Sequence, residues 1–518
     1  MQTTRRKFPI GIQSFEELRS NGYVYVDKTE VVYDLIQSGK TFFLSRPRRF
    51  GKSLLVSTLK AYFEGKKHLF EGLAMERMET EWVQREVLHI DFSISKYLTA
   101  EKLSSSIETM ISEWEVLYGR NETEKNISLR FAGIIKRAAK QSGKQIVILI
   151  DEYDAPILDV LTDDIERKAI RNVLRDIFSP LKGMGEHIQF LFLTGVTKYS
   201  QLSIFSELNH LVNISMLPQF GSICGITEDE LFSNFKQDVE DLAVAKKLSY
   251  DGAVEKLKRL YDGYHFCKES PDIYNPFSLL HVFAYKQFAY FWFESATPTF
   301  LLDVLQDTNL PIDDLDRIEL KAERFNKPIM EDVDPIPLLY HSGYLTIKDY
   351  DEEFNTYTIG FPNEEVRQGL VDSLVPRILP HLNDDQNLSI PNFVKDLRKG
   401  DIDMFLTRLR SFFADVPNVL NNKTEKHYQT MFYIFTRLIG QYAQVEIPTA
   451  RGRVDMLIRT GGYLYLFEFK FNATAAEALA QINSKEYAIA YTVGNDKVVK
   501  IGLNFDDTTR TITEWIVE

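Results

Sequence analysis

Along the first 225 residues, short apolar runs alternate with stretches whose apolar positions recur at helical spacing. KTFFLS (40–45), QIVILIDEYD (145–154) and IQFLFLTGVTKYS (188–200) each carry an apolar run of strand length. SLLVSTLKAYFEG (53–65) has the three-to-four spacing of an amphipathic helix and stops at Gly65. Uninterrupted apolar strands separated by helices predict a parallel sheet covered on both faces. From TEDELFSNFKQDVEDLAVAKKLS to about residue 310 the period is helical, opening on a capping-box pair, Thr227 and Glu230, and reads as a helical lid. Residues 335–375 then predict helix, strand, acidic turn, strand and helix, the order of a winged helix. The last stretch opens with an amphipathic helix (422–442). Three strands follow within 443–472, with hairpin turns at Arg451-Gly452 and Gly461-Gly462, then a helix and two strands, KVVKIGLNF and RTITEWIVE.

Between the first strand and its helix lies SRPRRFGKS (45–53). The pattern G-x-x-x-x-G-K-[ST] is met at Gly51, Lys52 and Ser53, with Arg46 where the first glycine would stand. A strand before and a helix after are the context such a phosphate-binding loop needs. Backbone N–H groups and a helix N-terminus point at the phosphates, Lys52 supplies a point charge, and the Ser53 hydroxyl ligates Mg2+. The candidate nucleotide-binding set is therefore Arg48, Arg49, Phe50, Gly51, Lys52, Ser53 and Leu54. Arg46 restricts the backbone where the loop begins and Pro47 removes a donor, which predicts a shallower cradle.

QIVILIDEYD ends in paired acids, the form of a Walker B strand. Asp151 would hold Mg2+ through water and Glu152 would polarise the attacking water. Thr194, at the tip of the third strand, is the candidate sensor of the terminal phosphate, as in ATPases with an extra strand between the P-loop and Walker B strands. Lys198 beyond it reads as a solvated lysine.

Near the C-terminus, Asp455 begins the second of three strands, and Glu468 and Lys470 lie two apart on the third. Period two puts Glu468 and Lys470 on one face, and hairpin pairing can bring Asp455 beside them. Two carboxylates can bind Mg2+ or Mn2+, and the lysine can steer or activate a hydrolytic water at a phosphodiester.

The 518 residues accommodate roughly three domains of about 150 residues each. No apolar run approaches a membrane span, and MQTTRRKFPIG has no apolar signal core, so no membrane association and a cytoplasmic location are expected. Two cysteines, Cys224 and Cys267, form no ligand pair, which favours a reducing compartment and no structural zinc. A net charge of -13 argues against broad nucleic-acid affinity and leaves a local basic channel open. The wing tip DYDEE (349–353) would repel a duplex, so a packing or partner role is favoured there over DNA binding.

The series FPIGIQSFEELRSNGYVYVDKT, FFLSRPRRFGKSLL, ILIDEYDAP, LTGVTKYSQLSIFSELN and YDGYHF…YNPFSLL resembles the bacterial AAA-ATPase-like family, whose members commonly end in a PD-(D/E)XK nuclease-like domain. The resemblance covers nearly the whole chain. It makes the arginine-rich loop without a first glycine the family's own pattern. It implies an α/β architecture in three parts: a P-loop AAA-ATPase-like domain with a parallel sheet (1–225), a helical lid and winged-helix-like region (226–385), and a restriction-endonuclease-like αβββαβ domain (386–518). It further implies Glu425 as another metal-site acid, Gln481 as a supporting polar residue, ATP as ligand, nucleic acid at the C-terminal domain, and a homo-oligomer, although no arginine identifies itself as one that a neighbour would contribute. Two readings stand. ATP binding or hydrolysis controls a metal-dependent nuclease acting on DNA, or the chain is an ATP-dependent switch whose terminal domain binds without cutting.

Overall fold

The computed structural model describes residues 6–197, 211–292, 315, 317–326, 335–378, 390–414, 435–436, 438–440, 444–449, 452–485, 488, 496–506, 509 and 511–518. The chain forms two compact units, Met1–Val304 with Arg317–Arg367, and Leu305–Asp316 with Gln368–Glu518.

The first unit is built on a parallel sheet of β1 (Thr41–Ser45), β2 (Val87–Asp91), β3 (Ile146–Asp151), β4 (Ile188–Gly195) and β5 (Val212–Asn213), in the order β2-β3-β4-β1-β5. Every residue of β3 is buried, as expected of a central strand covered on both faces. Because β4 lies between β1 and β3, the register sets Ser45 beside Gly195, Leu44 beside Thr194 and Asp91 beside Asp151. The strand tips therefore collect at one edge of the sheet, where open α/β sheets bind ligands. Helix α1 (Lys52–Phe63) leaves that edge and buries Leu55, Val56, Leu59 and Phe63. Helices α2 (Ala100–Tyr118) and α3 (Ile127–Ser142) are joined by a buried bidentate pair, Arg130 to Glu115, with both N–O contacts at 2.8 Å.

After the sheet, α4 (Glu228–Lys246) begins on the expected capping box of Thr227 and Glu230. The Glu230 carboxylate also takes the Lys28 ammonium at 2.6 Å on both oxygens. Helices α5 (Tyr250–Tyr261) and α6 (Pro276–Tyr285) pack on α4 through Leu231, Phe235, Leu257, Tyr261 and Phe283. The helical period does not run unbroken to 310: between α5 and α6 the chain is non-helical, and β6 (Ile226–Thr227) pairs antiparallel with β7 (Ile273–Tyr274). Residues 262–272, DGYHFCKESPD, supply a glycine, a proline and short polar side chains that favour turns over helix. Residues 293–314 lie outside the described set.

The wing-like order is present as α7 (Pro335–Ser342), β9 (Thr346–Asp351), β10 (Thr356–Gly360) and α8 (Glu364–Ile378). A further strand, β8 (Ile318–Lys321), which the sequence pattern did not single out, pairs antiparallel with β10. In the acidic turn Glu352 pairs with Lys268, whose ammonium also lies 5.6 Å from the Tyr350 ring centre.

The second unit has α9 (Ile390–Lys399), α10 (Ile402–Ala414) and a sheet of β11 (Gln444–Thr449), β12 (Gly452–Thr460), β13 (Tyr463–Phe471), β14 (Lys497–Asp506) and β15 (Thr511–Val517), ordered as numbered. The first three strands are antiparallel, with β12 and β13 joined at Gly461-Gly462, where both φ angles are positive. A parallel β13–β14 pair, crossed over by α11 (Ala475–Ser484), completes the βββαβ part of the expected order. Of the helix expected over 422–442, residues 435–436 and 438–440 are described and helical; Glu425 lies outside the described residues, as does Lys198. Among the described residues no helix is long and apolar enough to cross a membrane, and both cysteines are free and buried.

Arg130→Leu should lower the unfolding free energy by about 3 kcal/mol, because it leaves Glu115 buried without its bidentate partner and with only the Arg120 guanidinium at 3.9 Å, while Arg130→Leu with Glu115→Leu should recover most of the loss. Denaturant titration of the three proteins checks this.

Candidate functional sites

Arg46 does not point toward the cavity beside the loop. Its guanidinium is buried and donates to the carbonyls of Ser45 at 3.0 Å, Ser215 at 2.8 Å and Phe220 at 3.0 Å, while its plane sits 4.1 Å from the Phe266 ring centre. No carboxylate of the described residues pairs with it, and burial pulls its pKa down. The residue in the first-glycine position is thus a strut tying β1 to the 215–221 segment. The loop then turns through Arg49 (φ 69°) and Gly51 (φ 93°), the left-handed conformation that glycine takes without strain, and Gly51 caps α1. The first turn of α1 contributes Lys52, Ser53 and Leu54 to the cavity wall.

Lys52 is 3% exposed, and its ammonium contacts Glu152 Oε1 at 3.1 Å and the Pro47 carbonyl at 3.3 Å. Behind it, Asp151 is pushed up to about 6, first by burial and then by the neighbouring Glu152 charge. The Ser53 hydroxyl hydrogen-bonds this carboxylate and opposes the shift, and the Thr194 hydroxyl donates to it at 3.1 Å. Glu152 itself has φ 52°, a conformation that costs a non-glycine residue on the order of 1 kcal/mol and that turns its carboxylate back over Lys52.

One residue of this edge was missed by the motif reading. Asp154 is fully buried and accepts from the Val196 amide at 3.1 Å, the Thr197 amide at 2.6 Å and the Thr197 hydroxyl at 2.7 Å. It pins the chain just past Thr194. Its position two residues after the paired acids, followed by Ala155-Pro156 and the helix Ala155–Leu158, was the available signal.

A cavity of about 490 Å³ opens beside this edge. Arg48, Arg49, Gly51, Lys52, Ser53 and Leu54 line it together with Glu152, and Lys96 and Asp159 face it from neighbouring segments. Asp151 and Thr194 stand behind Ser53 rather than on the cavity wall, and Phe50 turns away to pack edge-on against Tyr264 with 4.7 Å between ring centres. An apolar pocket of about 100 Å³, lined by Val26, Leu54 and Cys224 among others, shares Gly51 and Leu54 with it. The volume, the buried cation and the hydroxyl–carboxylate pair fit a magnesium nucleotide.

In the second unit, the β12–β13 pairing brings Asp455, Glu468 and Lys470 together. The Phe469 amide donates to Asp455 Oδ2 at 2.7 Å. Glu468, 2% exposed, lies 3.7 Å from the Lys470 ammonium. Gln481 on α11 connects them, donating from its amide to Glu468 Oε1 and accepting from Lys470 at 2.5 Å. Burial, then Asp455, lifts the Glu468 carboxyl to about 7. Its Oε2 is buried with no hydrogen-bond partner among the described residues, the kind of oxygen that a divalent ion would satisfy. No set of three acidic, histidine or cysteine side chains gathers among the described residues, so the acids available there are Asp455 and Glu468.

Comparison with known proteins finds a family match over each of these two regions. Residues 9–205 match the AAA-ATPase-like family, described as a predicted AAA-ATPase, and residues 423–515 match the PD-(D/E)XK nuclease superfamily. Over 526 aligned residues covering 99% of each chain, the protein is 33% identical to an uncharacterized protein in the vnfD 5′ region of Azotobacter chroococcum mcd 1. The chain belongs to the AAA-ATPase-like family and carries a C-terminal domain of the PD-(D/E)XK nuclease superfamily.

Proposed function

We propose that the protein binds and hydrolyses ATP and thereby controls a Mg2+- or Mn2+-dependent nuclease acting on DNA. One observation carries the reading. Among the described residues, Glu468 keeps a carboxylate oxygen without a hydrogen-bond partner, buried beside Asp455 and Lys470, an arrangement that costs stability and that a domain serving only to bind has no reason to retain.

At the nucleotide, Lys52 and the amides of Gly51 to Leu54 hold the phosphates, with Arg48 and Arg49 adding positive charge at the cavity wall. Ser53 and Asp151 hold Mg2+, which shields the phosphate charge when bound. Glu152 orients the attacking water, and Thr194 reports the terminal phosphate through Asp151. At the nuclease centre Asp455 and Glu468, with Glu425, hold the ion, which supplies a nucleophilic water and a Lewis acid when bound. Lys470 stabilises charge developing on the phosphate, and Gln481 holds Lys470 and Glu468 in register.

The second reading, an ATP-dependent switch whose terminal domain only binds, is favoured by the acidic turn at 349–353 and the net charge of -13. Nuclease assays separate the two.

Lys52→Ala should weaken ATP binding by a factor on the order of 100, whereas Glu152→Gln should keep ATP bound and slow its hydrolysis on the order of 100-fold. Calorimetry and phosphate release measure both, and equal ATP affinity in Lys52→Ala and wild type would rule out the loop assignment. Asp455→Asn should abolish both manganese binding and DNA cleavage while sparing ATP binding; Lys470→Ala should lose cleavage and keep the ion. If neither wild type nor variants cleave single-stranded, duplex or branched DNA, the switch reading replaces this one.

The pH dependence has a definite sign. A Glu468 carboxyl raised from 4.5 to about 7 contributes stability below pH 4.5 that is lost as pH rises through about 7. Its ion site behaves oppositely: manganese affinity should fall about tenfold per pH unit below about 7, as the proton competes for the carboxylate. Titrations at pH 6, 7 and 8 check this, and a flat profile would contradict the assignment.

A further inference from the structure

The loop 46–50 is made of bulky residues, and each one in turn meets α6, the segment between α5 and α6, Trp292 or the end of α7 in the same unit. Arg46 lies over Phe266 at 4.1 Å. Gly343, at the end of α7, approaches so closely that a Cβ there would stand 2.6 Å from the Pro47 side chain. The Arg48 carbonyl accepts from the Trp292 indole at 3.1 Å. Arg49 lies 4.9 Å from the Phe277 ring centre, and Phe50 stacks edge-on against Tyr264 and Phe266. Trp292 is itself fixed: its amide donates to Glu365 at 2.9 Å, the same buried carboxylate that Ser278 of α6 hydrogen-bonds, and its ring meets Tyr344 at 5.2 Å. Small residues would serve a phosphate cradle alone equally well, so these five contacts call for another explanation.

The geometry points to Trp292 and Gly343 as positioning residues for nucleotide, through which the loop's pose is coupled to α7 and the wing-like strands. Phosphates bound at Gly51 and Lys52 hold residues 46–50 in one pose. Because interiors are close-packed, a change of that pose moves the groups wedged against it, namely the Phe266 and Trp292 side chains and the Gly343 backbone. The wing-like module is then the reader of nucleotide state. Its acidic turn fits this role better than contact with DNA.

This rests on ATP binding at Lys52, and the test keeps the two apart. Hydrogen exchange on the full-length protein with and without MgATP reads residues 262–267 and 340–347 directly, with no substitution needed. The expected result is slower exchange in both segments on adding MgATP. Trp292→Phe replaces the indole with a smaller aromatic ring that has no N–H donor, and should raise the ATP dissociation constant and KM about five- to tenfold with kcat within about twofold. It should also abolish the protection at 340–347. Gly343→Ala should act in the same direction. A purely structural role for Trp292 would lower the melting temperature and leave the KM and the protection unchanged. If wild type binds ATP by calorimetry but exchange changes only around 46–54 and 151–159, or Trp292→Phe binds ATP as wild type does, the inference is overturned. Absence of ATP binding by wild type would instead overturn the nucleotide reading, and this inference with it.

Discussion

A lysine ammonium with 3% of its surface exposed must have an anion within reach, and in the first unit that requirement organises the edge of the sheet. Lys52 meets Glu152 at 3.1 Å, and Glu152 can reach it because its backbone takes a left-handed conformation at φ 52°. The strand order β2-β3-β4-β1-β5 sets the two on neighbouring turns, with β4 between them. Burial first, and the Glu152 charge second, lift Asp151 to about 6, and its carboxylate is what the Ser53 and Thr194 hydroxyls hold. A phosphate would bring negative charge to a desolvated cation, and its arrival would redistribute partners among Lys52, Glu152 and Asp151.

Arg46 presents the contrasting solution for a buried cation. It has backbone carbonyls and an aromatic face instead of an acid, and a guanidinium's planar fork makes that arrangement workable where an ammonium would not. Its side chain faces away from the cavity, whose wall here is formed by Arg48, Arg49 and Gly51 to Leu54. The expectation of a shallower cradle rests on the missing Pro47 donor and the restricted backbone at Arg46, and says nothing of the partners of Arg46. Its contacts lie nearly 170 residues away in the chain, beyond any local pattern.

The parallel sheet, the capping box at Thr227, the order of the wing-like elements and the β12–β13 hairpin were legible because each is written in local period or turn chemistry. Glu468 and Lys470 share a face because strands alternate with period two. Strand β8 was not legible: IELK is four residues long, sits at a sheet edge and carries charges, so its pairing with β10 is decided by tertiary contact. Residues 262–272 defeated the helical reading for a related reason, since turn-forming residues there interrupt a period that resumes at Pro276. Asp154 carries no periodic signal at all, and its importance comes from three donors 42 to 43 residues onward.

The central claim is that nucleotide state governs phosphodiester cleavage by the same chain. Cleavage of one labelled DNA by the wild-type protein, with Mn2+ present throughout and with ATP, ADP, a non-hydrolysable ATP analogue or no nucleotide, tests it most directly. The account expects cleavage that requires the metal and whose rate differs at least about tenfold between nucleotide states, a coupling of about 1.4 kcal/mol. Metal-dependent cleavage at one rate in all four conditions would contradict it.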